Sequence, residues 1–319
     1  MYTKSQLCWL FSFKEPLCTT PHVLFDYVGH LPECPTWSED ESALYWTDIL
    51  EQEIHRYHPA SGMHSVLAFP EEVGCFALRE QGGFIVAMRH AIWLADKNGL
   101  LQRKVCDNPS NTKLARFNDG GTDGDGRFYA GTFWAPGDYN GALLMRINHD
   151  LTAKVIQCDI QGHNGLAFSP DNQWMYTSDT PNGVIYRTLL DKHGEPGKRE
   201  LFRHFGEGEG LPDGAAMDSE GCYWSAMFDG WRVARFSPQG EQLEEYRLPV
   251  RCPTMVCFGG ADMKTLFITT TRENMSAQEV ADYPLSGAIF TLQVAVAGMK
   301  KSRFIERQAG STGTTFSLG

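Results

Sequence analysis

No stretch of the chain approaches the roughly 18 consecutive apolar residues that a membrane-spanning helix needs. The best candidate, Leu7 to Phe13, is ended by Lys14 and Glu15. The same segment makes a poor secretory leader, because its apolar core is short and no small-x-small cleavage pattern follows it. Basic residues are also scarce. Against 39 Asp and Glu stand 28 Lys and Arg, a formal net charge of −11, which argues against a phosphate-neutralising face and so against a nucleic-acid binder. The pair Lys300-Lys301 is too small a patch to change that and reads as solvated charge. The nine cysteines (8, 18, 34, 75, 106, 158, 222, 252 and 257) contain no CxxC pair and no zinc-finger spacing to histidine, so reduced thiols in a cytoplasmic protein are expected. A dinucleotide-binding fold is missing its signal too: Gly208-Glu209-Gly210 runs into Leu211-Pro212-Asp213-Gly214, which breaks a helix where that fold needs one.

What is present points to strands and turns. The 319 residues include 32 Gly, 16 Pro and an aromatic set of 8 Trp, 11 Tyr and 19 Phe, with 42% hydrophobic and 21% charged residues, the mix of a globular all-β protein. Apolar triplets recur at Leu44-Tyr45-Trp46, Phe84-Ile85-Val86, Phe128-Tyr129-Ala130, Trp174-Met175-Tyr176, Cys222-Tyr223-Trp224 and Leu266-Phe267-Ile268. Their centres are 40, 44, 46, 48 and 44 positions apart. Each follows a turn signal such as Asp123-Gly124-Asp125-Gly126 or Ser169-Pro170-Asp171-Asn172, and an alternating strand follows about ten residues later, as in Ile54 to Tyr57 or Val233 to Phe236. A period near 45 without helical periodicity is that of a four-stranded propeller blade. The expected architecture is a six-bladed β-propeller with a central channel spanning residues 23–296, preceded by a lead-in at 1–22 and followed by a tail at 297–319. Gly310 to Gly319 reads as flexible, and Val23 to Val28 is the candidate strand that closes the ring.

Polar residues recur at one phase before the triplets. Glu33 lies 12 positions before Tyr45, Asn118 lies 11 before Tyr129, Asn164 lies 11 before Met175 and Asp213 lies 10 before Tyr223. Equivalent positions of a propeller are related by rotation, so these four side chains should converge on one end of the channel. Blades two and six offer Cys75 and Cys257 at that phase. NDG, NG and DG are also ordinary turn signals, and it is their shared phase that makes a site. Carboxylates and carboxamide oxygens are hard ligands suited to Ca²⁺, Mg²⁺ or Mn²⁺, with Zn²⁺ also admissible. An ion with open positions can polarise a carbonyl and activate water, the chemistry of ester or lactone hydrolysis.

The runs Leu31-Pro32-Glu33-Cys34-Pro35-Thr36-Trp37, Leu44 to Ile49, Arg116-Phe117-Asn118-Asp119-Gly120, Asn164 to Asp171, Leu211-Pro212-Asp213-Gly214 and Pro253-Thr254 with Cys257-Phe258-Gly259-Gly260 resemble the senescence-marker protein (regucalcin), gluconolactonase and luciferin-regenerating-enzyme family, over residues 23–292. The resemblance implies a six-bladed propeller with one divalent cation, calcium first, and hydrolysis of a sugar-acid lactone. It implies Glu33, Asn164 and Asp213 as metal ligands, Arg116 and Asn118 as substrate contacts, and Asp213 also as the general base that takes a proton from the attacking water. The expected partner is thus a small lactone, with neither nucleic acid nor membrane.

The chain departs from the family pattern in three places. Phe133-Trp134-Ala135-Pro136 follows Gly131-Thr132 where acidic residues are usual, which removes a substrate-contacting carboxylate. Phe133, Trp134 and Tyr139 near the channel mouth could favour a less polar lactone or another ester. His163 precedes Asn164 where a small residue is common, either as a proton shuttle or as an ordinary histidine, and Cys34 follows Glu33 as a small buried residue rather than a ligand. Trp37, Trp46, Trp174 and Trp224 should pack between sheets, and Asp48 and Asp179 should be structural hydrogen bonders. The alternative to an enzyme is a non-catalytic calcium-binding or interaction propeller; Arg116 and Asn118, which a structural ion does not require, favour the enzyme.

Overall fold

The computed structural model describes residues 20–307. The Leu7 to Phe13 segment, Cys8, Cys18 and the Gly310 to Gly319 run lie outside the described residues. A short strand, β1 (His22–Val23), comes first. Blade one is β2 (Pro32–Ser38), β3 (Ala43–Asp48), β4 (Glu53–His58) and β5 (Met63–Ala68). Blade two is β6 (Val73–Leu78), β7 (Phe84–Met88), β8 (Ala91–Ala95) and β9 (Leu101–Asp107). Blade three is β10 (Ala115–Thr122), β11 (Phe128–Trp134), β12 (Ala142–Ile147) and β13 (Ala153–Ile160). Blade four is β14 (His163–Phe168), β15 (Trp174–Asp179), β16 (Val184–Leu190) and β17 (Pro196–His204). Blade five is β18 (Leu211–Met217), β19 (Tyr223–Phe228), β20 (Arg232–Phe236) and β21 (Gln242–Arg247). Blade six takes β22 (Pro253–Gly259), β23 (Thr265–Thr270) and β24 (Phe290–Gln293), and its fourth strand is β1.

The apolar triplets fall on the second strand of each blade, between an inner strand and an outer one, which is why they carry no polar alternation. Burial follows the same radial order: β6 and β22 are buried along their whole length, whereas β5 and β21 alternate as edge strands facing water. The inner strands pack against one another in the order β2, β6, β10, β14, β18 and β22, and β22 returns to β2. The ring is therefore closed, with blade three opposite blade six. Closure uses β1 on β24, with His22 opposite Thr291 and Val23 opposite Phe290. The pairing is shorter than the expected Val23 to Val28 strand, because Phe25 and Tyr27 turn inward to stack on Tyr57 and against Trp46 of blade one.

Two aspartates hold inter-strand loops as expected. Asp48 accepts the backbone N–H groups of His30 and Leu31 at 2.7 and 2.9 Å and the Tyr27 hydroxyl at 3.2 Å. Asp179 accepts those of Gln161 and Gly162 and the Asn182 amide. Trp37 stacks on Phe267 and Trp224 meets Phe258 edge-on, both across a blade boundary, while Trp174 packs within its own blade under Arg187.

Residues 297–307 lie across the end of the ring away from the starts of the inner strands. Met299 N–H donates to Met217 O, Phe304 N–H to Leu78 O and Ile305 N–H to Gly126 O, which ties blades five, two and three together. Lys300 pairs with Glu39 at the surface, but Lys301 is not the solvated cation its sequence context suggests: its ammonium donates to Pro35 O at 2.9 Å.

His163 is buried against Gly131 of the neighbouring blade, and among the described residues neither ring nitrogen has a hydrogen-bond partner. Burial, with a smaller contribution from Arg199, pulls its pKa down to about 3. A histidine whose folded value is depressed contributes stability above its unfolded value near 6.5, and that contribution is lost as pH falls from there toward 3. His163→Leu removes both orphaned nitrogens and this proton linkage. It is expected to stabilise the protein by about 1–2 kcal/mol at neutral pH, with a larger gain at pH 5, read from urea unfolding at the two pH values.

Candidate active site

The antiparallel register between the first and second strand of every blade slips at the same place. The irregularity lies between Glu33 and Thr36 in blade one, Val73 and Cys75 in blade two, and Phe117 and Gly120 in blade three. It lies between Asn164 and Ala167, Pro212 and Ala215, and Pro253 and Met255 in blades four to six. A bulge re-aims the side chains at its start, and here it turns Glu33, Asn118, Asn164 and Asp213 toward the channel. The residue after Glu33 and the one after Asn164 take left-handed backbone, Cys34 at φ 51° and Gly165 at φ 63°. Glycine meets that demand without strain. Cys34 meets it while buried, held by a thiol contact to Phe76 O at 3.4 Å.

At this phase, blades two and six do not present the expected Cys75 and Cys257. Both thiols lie beyond the bulge and are buried. The bulge residues are Gly74, whose added Cβ would strike Phe117 O, and Thr254. Thr254 lines the cavity and donates to Pro32 O at 2.7 Å. Similar clamps recur round the ring: Thr47 donates to Val73 O, Asn118 Nδ2 to His163 O, and Thr180 to Pro212 O at 2.7 Å. In three of these four the accepting carbonyl belongs to the residue just before a site residue, so blades six, three and four fix where Glu33, Asn164 and Asp213 of their neighbours begin.

These clamps also orient the two amides. The single hydroxyl proton of Thr180 goes to Pro212 O, so Thr180 must accept from Asn164 Nδ2, at 2.8 Å. That leaves Asn164 Oδ1 facing the channel, where it accepts from Asn118 Nδ2 at 2.7 Å with a lone pair to spare. Asn118 Oδ1 in turn accepts from Arg116 Nη1 at 2.5 Å. An unbroken chain thus runs from Arg116 through Asn118, Asn164 and Thr180 to blade five.

All five sequence-derived site residues, Glu33, Arg116, Asn118, Asn164 and Asp213, line one cavity of about 760 Å³, ample for a six-carbon ligand. Its apolar wall includes Leu31, Leu50, Leu114, Phe133, Leu211 and Phe228. Of the three aromatics expected at the mouth, Phe133 is on the wall, whereas Trp134 and Tyr139 pack on each other at 4.7 Å, with Trp134 Nε1 donating to Asp138. The His163 ring, buried behind the wall, is not among the lining groups.

Three carboxylates crowd the floor. Burial first and Asp119 second push the Glu33 carboxyl up to about 8. Burial, then Glu33 and Asp119, push Asp213 well above the usual carboxylate range. Burial raises Asp119 to about 6 against the opposing pull of backbone N–H groups of Leu166, Gly120 and Gly165. Asp119 accepts from Gly120 N–H at 2.6 Å and Leu166 N–H at 2.8 Å, so it ties the two bulges together and is not spare for a ligand. In the sequence Asp119 stands inside the turn signal Asn118-Asp119-Gly120, and that position is its one mark there.

Asp213 Oδ1 is buried without a hydrogen-bond partner among the described residues. Among the described residues no three His, Cys, Asp or Glu side chains are placed to hold a metal ion, so a ligand set must mix carboxylates with amide oxygen. Glu33, Asp213 and Asn164 Oδ1 face the cavity as candidates for such a set. Uncompensated buried carboxylates and an orphaned oxygen are the surroundings a hard divalent cation fits.

A family model described as the SMP-30/Gluconolactonase/LRE-like region matches residues 31–272. A 6-deoxy-6-sulfogluconolactonase of Pseudomonas putida is 54% identical over 275 residues, 86% of this chain and 94% of the relative. A pentonolactonase of Haloferax volcanii is 31% identical over 86% of this chain and 94% of its own. Among solved structures, a calcium-binding protein, regucalcin, from Agrobacterium tumefaciens superposes with a TM-score of 0.84 at 28% identity, covering 88% of this chain and 96% of that one.

Proposed function

The chain belongs to the SMP-30/gluconolactonase/LRE-like family, and from that premise we propose that it is a cation-dependent lactonase opening a sugar-acid lactone to the free acid. 6-Deoxy-6-sulfogluconolactone, the substrate named for the Pseudomonas relative, is the first to try. The observation that carries the reading is the Arg116–Asn118–Asn164–Thr180 chain, which aims substrate-binding donors into the same cavity as Glu33 and Asp213. Such a chain is superfluous for a purely structural ion. A cytoplasmic setting is part of this reading, supported by the seven described cysteines, all free thiols.

Glu33, Asn164 and Asp213 would hold the cation, with calcium the first candidate. When bound, a divalent cation keeps both carboxylates ionised, polarises a carbonyl and makes water more acidic. Arg116 and Asn118 orient the lactone, the guanidinium donating to its oxygens. Asp213 accepts a proton from water as the water oxygen adds to the lactone carbonyl carbon. The bond from that carbon to the ring oxygen then breaks, the ring oxygen takes the proton back as a hydroxyl, and the new carboxylic acid releases one proton to solvent. Leu31, Leu211, Phe133 and Phe228 limit water around the reacting carbon.

Asn118→Ala tests the division of labour. Asn164 stays fixed by Thr180, so cation affinity by calorimetry should change little, while KM for the lactone rises at least about tenfold. An unchanged KM would remove Asn118 from the substrate site.

A further inference from the structure

The cavity is electrically polarised across the ring. Arg89, Lys113 and Arg116 line it from blades two and three, and Glu273 lines it from blade six, the opposite side. Arg89 is neutralised by a bidentate pair with Glu72, at 2.5 and 2.7 Å. Lys113 is exposed, and among the described residues its ammonium has no carboxylate within ion-pair distance.

The turn carrying Lys113 is built to stay in place. Leu114 and Ala115 N–H groups donate to Asn111 O, and Lys113 N–H donates to the Asn111 side chain. Arg89 Nη1 holds Thr112 O at 2.9 Å from one side, and Ala135 N–H holds Leu114 O at 3.0 Å from the other. Arg89 is thus spent on positioning, with Glu72 aligning it, and Lys113 is the cation left over. A protein of net charge −11 repels anions at long range, so an unpaired lysine presented to a small-molecule cavity has a local purpose.

We infer that Lys113 reads an anionic substituent on the lactone, at the end remote from the carbonyl. The carbonyl end belongs with Asp213 and Asn164 in blades five and four, so the far end of a six-carbon lactone extends across the ring toward blade two, where the connection from β9 to β10 carries Lys113. The inference rests on the lactonase reading and names its substrate class: a lactone carrying a sulfonate or phosphate rather than a neutral hydroxymethyl group. Glu273 on the opposite wall opposes the reversed orientation, in which the anion would face a carboxylate. It also accounts for the loss of an acidic residue at Phe133, since a carboxylate on β11 of blade three would repel the same group.

The test compares kcat/KM of the cation-loaded wild type, Lys113→Ala and Lys113→Arg on 6-deoxy-6-sulfogluconolactone, 6-phosphogluconolactone and gluconolactone. Lys113→Ala should lower the ratio of the sulfonated to the neutral lactone about tenfold, chiefly through KM. Lys113→Arg should restore most of it, and added salt should erode the wild-type preference. Equal losses on the sulfonated and phosphorylated lactones identify a general anion subsite, and loss on one alone names the group. A ratio unchanged in Lys113→Ala, or a wild type that favours gluconolactone, overturns the inference. If the wild type hydrolyses none of the three, the lactonase reading fails separately. Calorimetric binding of 6-deoxy-6-sulfogluconate then decides for Lys113: weaker binding by Lys113→Ala supports the subsite, and equal binding refutes it.

Discussion

Asp213→Asn should lower kcat for lactone opening by about 10³-fold or more, because it removes the proposed general base and one of the two proposed cation carboxylates while preserving shape. The side chain is buried, and among the described residues its Oδ1 lacks a hydrogen-bond partner; of the carboxyls beside it, Asp119 is held by the Gly120 and Leu166 N–H groups and Glu33 is the other proposed cation ligand. Cation affinity should fall in the same variant. The fold should not suffer: burial and the nearby Glu33 and Asp119 already oppose the ionised form of Asp213, so a neutral amide relieves repulsion in chelator-treated protein. The expected pattern is dead activity with a melting temperature equal to or above that of chelated wild type at pH 8. Retained turnover would show that another group is the base. A large loss of melting temperature would show that Asp213 is a structural residue.

Chelation should make stability fall as pH rises, and added cation should reverse this. Glu33 titrates near 4.5 when unfolded and near 8 in the fold, and Asp119 moves from 3.8 to about 6. A carboxyl whose folded value is raised binds its proton more tightly in the native state. Its stabilising contribution is therefore complete below the unfolded value and is lost as pH climbs through the folded one. The chelated protein should thus lose stability between about pH 4.5 and 8. Calcium competes with these protons, so its stabilisation should grow over the same window, to about 2.7 kcal/mol at a hundredfold excess over its Kd. Thermal melts at pH 5 and 8 with and without calcium give the answer. A shift independent of pH would separate cation binding from these carboxylates.

Much of this architecture is legible in the sequence because each blade repeats one apolar triplet, and the triplet is the doubly covered second strand. The site is legible wherever a polar side chain coincides with the bulge, as at Glu33, Asn118, Asn164 and Asp213. A constant offset from the triplet fails in blade six, where the bulge residue Thr254 stands 13 positions before Phe267 and Cys257 only ten. In blade two the bulge holds Gly74, which has no side chain to signal it. Asp119 is hidden because its long-range partner is the Leu166 backbone N–H of the next blade, and Lys113 because its turn is set by Arg89 from another blade. Contacts between blades leave no periodic trace in one sequence. The bond of Lys301 to Pro35 O of blade one leaves no such trace either.

The central claim, that one cation-dependent site at Glu33, Asn164 and Asp213 opens a lactone, is tested most directly by proton release from sulfonated and unsubstituted gluconolactone. The assay compares chelated protein with protein restored with Ca²⁺, Mg²⁺, Mn²⁺ or Zn²⁺. The expected result is no turnover when chelated, turnover restored by a divalent cation, and turnover lower by about 10³-fold or more in Asp213→Asn with any of the cations. Full turnover by chelated protein, or tight cation binding with no turnover of either lactone, would contradict it.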